Sequence, residues 1–387
     1  MGMRGVSRRG DHVMELSFLR PLYARPGPWA SVYLDASRDT EDAHLAVDLR
    51  WRALRQRLID QGADEVTVAA LDDVVRGHEP MPGDYGLAAF ATGGRVVRTE
   101  YLSAPPLTDL ADFGPVPHVM PLVAQRGEQI PWVRVVAGRT GADLTAVSAG
   151  GVPRHARVKG GNQFPIRRVK PGAWSQPHFQ KAAMMAWKRN AGDAAAATAD
   201  LAEQIGAQVV VVAGDNHARS MLAGRLPEKW QERVVQTDAG FRAAGASAEA
   251  LDDVTAQAVA EVADRLVAET LDRFGMQEQV GAGLSAVVAA LQRGQVENMI
   301  IVDDPSSTDR LWIGPDPTDI ALDPAELATG SVTEPARVRA DAALVRALVG
   351  TDAAATVLGV EEAPDLVDGL GAVLRYVDAA TPGREAG

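Results

Sequence analysis

The chain has 387 residues, 46% of them hydrophobic, with 39 lysines and arginines against 51 aspartates and glutamates and a net charge of -12. Its length exceeds what one core usually serves, its composition excludes a disordered or fibrous chain, and its charge excludes a general nucleic-acid coat. Cysteine is absent, which rules out disulfides, thiolate metal sites and a cysteine nucleophile and fits a reducing cytoplasm.

No apolar run reaches the roughly 18 residues that a membrane helix needs, and the basic start Met1 to Asp11 leads into no signal-type apolar core. A soluble cytoplasmic protein without membrane contact is expected. A first α/β domain is read over residues 1–128. After an apolar turn from Leu16, Pro21, Pro26, Gly27 and Pro28 break the chain, and Ala30 to Asp35 reads as a strand. Leu45, Leu49, Leu54 and Leu58 recur at helical spacing, with Arg50, Arg52, Arg55 and Arg57 between them as a solvated face paired with acids. A second helix covers 64–76, Tyr85 to Phe90 and Arg95 to Arg98 make a hairpin through Gly93-Gly94, and the Pro-rich stretch 105–121 carries the chain out.

The second domain is read over residues 129–246. Trp132 to Gly138 and Asp143 to Ser148 form a hairpin, a long helix runs from His178 to about Ile205, and Gln208 to Gly214 is the unbroken apolar run of a strand buried on both faces of a parallel sheet. A helix over 218–224 and the strand Arg233 to Val235 complete a βαβ unit. The third domain, residues 247–387, opens with a long helix over 247–273. Next come a helix at 284–291, a strand at 296–302, hairpin material at Arg310 to Ile313, a helix at 336–348, a strand at 355–358, a helix at 366–370 and a strand at 372–377, a small α/β sandwich.

The chemistry concentrates between the hairpin and the long helix. From Leu144 to Gly192 there is no acidic residue, while Arg154, Arg157, Lys159, Arg167, Arg168, Lys170, Lys181, Lys188 and Arg189 all fall there. Such a tract draws a polyanion, because each neutralised phosphate releases condensed counterions. Glycines, the amides Asn162 and Gln163, and the aromatics Phe164, Trp174 and Phe179 are interleaved with the cations, which suits close backbone approach, hydrogen bonding and base stacking. The plainer reading is a solvated basic loop.

Elsewhere the signals are weak. The seven histidines show no metal-helix spacing, and there is no nucleophile elbow, Walker loop or dinucleotide fingerprint. Asp303-Asp304 reads as carboxylates at a strand end, and Asp215 with His217 as a loop cap before an acid/base pair. No metal and no cofactor is expected.

The central order of hairpin, basic Gly-containing loop, long helix and buried strand resembles the middle domain of the archaeal and eukaryotic class of peptide-release factors. It is closer still to their actinobacterial relatives, which are similar to the Balon-like ribosome-hibernation factors and stand beside the Vms1-like peptidyl-tRNA hydrolases. In that class a GGQ motif and a Ser open the long helix; here the matching positions are Gly172-Ala173-Trp174-Ser175-Gln176, so Ala173 and Trp174 replace the second Gly and the Gln. Residues 207–245 look like the family's Val-rich strand and the segment after it, and Ala290 to Glu297 looks like the opening of its third, L7Ae-like domain. No NIKS-like codon-reading motif stands in the first domain.

The resemblance implies a three-domain, eRF1-like α/β architecture with mixed sheets and an L7Ae-like C-terminal sandwich. It also implies a monomer that enters the ribosomal A site, against 23S and 16S rRNA, with an EF-Tu-type elongation factor as a candidate for delivery. The residues it assigns to rRNA or tRNA are Arg154, Arg157, Lys159, Gly160, Gly161, Asn162, Gln163, Arg167, Arg168, Lys170, Gly172, Ala173, Trp174, Ser175 and Gln176. The family's Gln places a water at the ester carbon of peptidyl-tRNA, which an indole cannot do in the same way. The expectation is a ribosome-hibernation factor, induced in stress, without GGQ-type hydrolysis. The alternative alignment uses Gly160-Gly161-Asn162-Gln163 and makes Gln163 the water-positioning residue of a peptidyl-tRNA hydrolase or rescue factor. A stress-related scaffold whose basic loop meets an acidic protein is the third reading.

Overall fold

The structure is a computed structural model. It describes residues 14–37, 43–81, 83–127, 129–138, 141–151, 153–159, 176–239, 246–277, 281–328, 334–360, 366–378 and 381. The chain forms two compact units, one from residues 1–128 together with 266–387 and one from residues 129–265.

The first segment runs β1 (Met14–Glu15), α1 (Arg20–Tyr23), β2 (Trp29–Asp35), α2 (Ala43–Asp60), α3 (Glu65–Gly77), β3 (Gly86–Thr92), β4 (Arg95–Leu102), β5 (Leu110–Gly114) and α4 (Met120–Gly127). Its antiparallel sheet has the order β4-β3-β2-β5. Gly93 and Gly94, at φ +53° and +73°, make the tight turn between β3 and β4 that other residues adopt at a cost. The Pro-rich stretch expected to leave the domain instead adds β5 beside β2 and starts α4. Pro105, Pro106, Pro115 and Pro117 all fall outside the strand, so no ladder hydrogen bond is lost, and Pro121 sits in the first turn of α4, where its missing N–H is not needed.

The core-facing side of α2 also differs from the expected leucine row. Val47, Trp51, Leu54 and Leu58 are buried, whereas Leu45 and Leu49 are about half exposed. Both rows keep helical spacing; the indole decides between them, because fully buried Trp51 donates its Nε1–H to Asp72 of α3 at 2.6 Å. Arg50 meets Asp35 and Asp109, as a paired basic face should.

The middle unit contains β6 (Trp132–Gly138), β7 (Gly141–Val147), β8 (Pro153–Lys159), α5 (Gln176–Ile205), β9 (Val209–Gly214), α6 (Asn216–Ala223), α7 (Glu228–Gln231), β10 (Val234–Thr237) and most of α8 (Ala246–Met276). Its sheet order is β10-β9-β6-β7-β8. The Val-rich β9 pairs in parallel with both β6 and β10 and is buried along its whole length, whereas β7 and β8 are antiparallel. Ala142, Leu144 and Ala146 of β7 face α5 and join Ala194, Ala195 and Ala202 in one core. Small residues on α5 let the helix lie close to the sheet.

The last segment continues with β11 (Gly281–Ala282), α9 (Gly283–Gln292), β12 (Val296–Val302), β13 (Arg310–Ile313), β14 (Ile320–Ala321), α10 (Pro324–Ala328), β15 (Ala336–Arg339), α11 (Ala340–Gly350), β16 (Ala354–Leu358) and β17 (Leu370–Leu374). Two sheets result, β1-β16-β12-β17-β11 and β14-β13-β15. The helix expected from 336 begins four residues later. Val338 is buried and Arg337 exposed, the alternation of a strand, and β15 pairs antiparallel with β13. The helix expected at 366–370 is a single 3-10 turn at 367–369, stopped by Asp368 and Gly369 at φ +54° and +65°. The two terminal segments share one core, in which Leu19, Tyr33, Val119 and Met120 pack with Leu291, Ile313, Leu344 and Leu348.

Candidate nucleic-acid interface

The basic tract begins as a strand. Residues 153–159, expected as the start of a loop, form β8, which pairs antiparallel with β7 over its full length, from Val147 opposite Pro153 to Gly141 opposite Lys159. Alternation divides its side chains between two faces. Arg154, Ala156 and Val158 stand opposite buried Ala146, Leu144 and Ala142, on the side of α5. His155, Arg157 and Lys159 stand opposite Thr145, Asp143 and Gly141 on the other side, and all three are exposed.

Each of these three has a different neighbour. The His155 Nδ1 lies 3.2 Å from the Thr145 hydroxyl. Arg157 bonds the Asp143 carboxylate through Nε, and that bond and charge hold its guanidinium above its ordinary pKa. Lys159 faces a glycine and makes no ion pair among the described residues. Asp143, the last acid before the acid-free tract, is the residue that sequence reasoning missed. Only the β7–β8 register brings it to Arg157.

Of the other expected contacts, Gly160, Gly161, Asn162, Gln163, Arg167, Arg168, Lys170, Gly172, Ala173, Trp174 and Ser175 lie outside the described residues. Gln176 opens α5, on which Lys188 and Arg189 are exposed. The structure therefore brings Arg154, Arg157 and Lys159 onto one strand, with Arg154 on the opposite face from the other two.

At the end of β9, Asp215 caps α6, accepting from the His217 N–H at 3.1 Å and the Ala218 N–H at 3.0 Å. The His217 ring stands edge-on to Trp187, 6.0 Å between centroids. Helix capping accounts for Asp215 without an acid/base role. Asp303 and Asp304 end β12 at a cleft of about 560 Å³, whose rim also carries Asp309, Asp341 and Asp368. Burial, with Asp341 and Asp304 nearby, pushes the Asp303 carboxyl above its usual range. Among the described residues no three metal-ligating side chains come together, and no helix is long and apolar enough to cross a membrane.

The sheets and helices define a mixed α/β protein of several sheets whose middle unit exposes a basic edge strand. The model of bacterial archaeo-eukaryotic release factor family 2 matches residues 131–279. The uncharacterized protein Rv2629 of Mycobacterium tuberculosis is 30% identical over 364 residues, covering 92% of this chain and 96% of that protein. The chain belongs to bacterial archaeo-eukaryotic release factor family 2, a release-factor-like family of translation factors. Among solved structures, it is similar to the archaeal translation termination factor aRF1, at 15% identity and a TM-score of 0.24 over 93% of this chain and 96% of that one. It is also similar to Saccharomyces cerevisiae Dom34, at 12% identity and a TM-score of 0.40 over 77% and 82%.

Proposed function

We propose that the protein is a cytoplasmic, ribosome-binding translation factor that occupies the A site of idle ribosomes as a monomer and holds them inactive, without hydrolysis at a GGQ motif. The observation that carries this reading is an acid-free basic tract in a chain of net charge -12, whose first cations stand exposed on β8. A polyanion is attracted there and repelled by the remainder of the chain. Membership of a release-factor family supports rRNA as that polyanion. Trp174, standing where the family's catalytic Gln is expected, favours stacking over the placement of a water.

A second reading rests on Gly160-Gly161-Asn162-Gln163, which comes directly after β8 in the chain. It makes the protein a peptidyl-tRNA hydrolase acting through Gln163. Sedimentation with 70S ribosomes across a salt series, paired with a peptidyl-tRNA release assay, tests both. Binding that weakens when Arg157, Lys159, Arg167 and Arg168 are changed to Ala, with no peptide released, supports the hibernation role. Release that disappears in Gln163→Ala supports the hydrolase. Failure to sediment with ribosomes overturns both.

A further inference from the structure

The row His155, Arg157, Lys159 has a spacing of its own. Alternate residues of an antiparallel strand lie about 6.8 Å apart, close to the separation of successive phosphates along one nucleic-acid strand. The row lies on the face of the sheet turned away from α5, on the last strand of the order β10-β9-β6-β7-β8, and all three side chains are exposed. Arg157 spends only its Nε on Asp143, which leaves the two terminal nitrogens of the guanidinium for a bidentate phosphate contact. Lys159, opposite Gly141, has no side chain across from it to limit its sweep.

We infer that the open face of β8 is a phosphate track, on which His155, Arg157 and Lys159 take three successive phosphates of one RNA strand, reading backbone and not bases. This rests on the ribosome-binding role proposed for the protein and specifies which surface meets RNA and how. No Phe, Tyr or Trp stands on β8, and the one ring on that face, the His155 imidazole, lies beside the Thr145 hydroxyl, so the strand offers no extended platform for base stacking. An acidic peptide is the rival ligand. It would add as a further strand along the edge of β8 and would send its side chains to both faces, whereas β8 itself offers a cation on the α5 side at Arg154 alone.

The test uses the full chain and fluorescence anisotropy with a labelled oligouridine of about 12 nucleotides, across a potassium chloride series at neutral pH. Each phosphate contact contributes about 0.7 to the log-log salt slope on a single strand. Arg157→Ala combined with Lys159→Ala therefore flattens the slope by about 1.4, and adding His155→Gln to that pair weakens binding further. An abasic oligomer of the same length binds within about threefold of the oligouridine, since the track touches only phosphate and sugar. Unchanged thermal unfolding of the variants, whose replaced side chains are all exposed, shows that folding is intact.

Oligouridine binding that survives His155→Gln, Arg157→Ala and Lys159→Ala together unchanged overturns the track and leaves the ribosome reading standing on residues beyond 159. Loss of binding with the abasic oligomer overturns it in favour of base recognition, and tighter binding of polyglutamate than of oligouridine overturns it in favour of an acidic protein. If the wild-type chain binds neither oligouridine nor ribosomes, the track and the function on which it rests fall together.

Discussion

Asp143 is where a single residue shapes the interface. Its carboxylate is the one acid opposite the row His155, Arg157, Lys159, and it lies on Arg157 across an exposed rung of the β7–β8 ladder. An exposed pair of this kind contributes little to stability, because water screens it, yet its charge opposes an incoming phosphate at close range. Asp143→Asn is therefore expected to leave the melting temperature unchanged and to tighten oligouridine binding severalfold at low salt, a gain that fades as salt rises. Calorimetry and the anisotropy titration together check this. The cations themselves were legible in the sequence as an acid-free tract. Asp143 was not, because it stands outside that tract, and only a strand register, invisible while 154–159 is read as a loop, brings it to Arg157.

At the scale of elements, periodicity placed most helices and strands and failed where two patterns overlapped. In α2 both Leu45/Leu49 and Val47/Trp51 fit an amphipathic helix, and spacing alone cannot rank them. Packing against α3 selects the row that holds the indole, with Trp51 bonded to Asp72. The two rows make opposite predictions. Trp51→Ala removes a fully buried side chain and should cost about 3–5 kcal/mol, whereas Leu45→Glu with Leu49→Glu changes an exposed face and should shift stability by less than about 1 kcal/mol. Urea unfolding of the two variants decides between them, and equal losses would mean that the leucine row is covered. β8 was lost to sequence reading for a related reason. Its residues Arg154, His155, Arg157 and Lys159 are polar on both faces, so the apolar alternation that reveals a half-buried strand is carried by β7 alone. β15 is a similar case, four residues with one buried position, Val338.

On the scale of the whole molecule, the two ends of the chain belong to one unit, and a small set of charges joins them. β1 pairs with β16, and His118, just before α4, lies 3.6 Å from Asp341 at the start of α11. Burial raises the Asp341 carboxyl, but the His118 imidazole beside it and hydrogen bonds from Arg339 outweigh burial and hold it at about 2. Since an unfolded aspartate titrates near 4, the folded state keeps Asp341 ionised where the unfolded state does not. The resulting stabilisation, on the order of 2 kcal/mol, is fully present above about pH 4 and is lost as pH falls towards 2. Asp303 has the opposite sign. Its carboxyl is raised by burial and by Asp341 and Asp304, so its ionisation opposes folding at neutral pH and that opposition is relieved as pH falls through its raised value. Asp341→Asn is thus expected to lower the melting temperature at pH 7 and to flatten the acid limb of the stability curve. Asp303→Asn is expected to raise the melting temperature at pH 7, with a gain that shrinks on acidification. Scanning calorimetry from neutral pH down to about pH 3 measures both limbs, and a destabilised Asp303→Asn variant would show that this carboxylate holds a partner in the unit rather than burdening it.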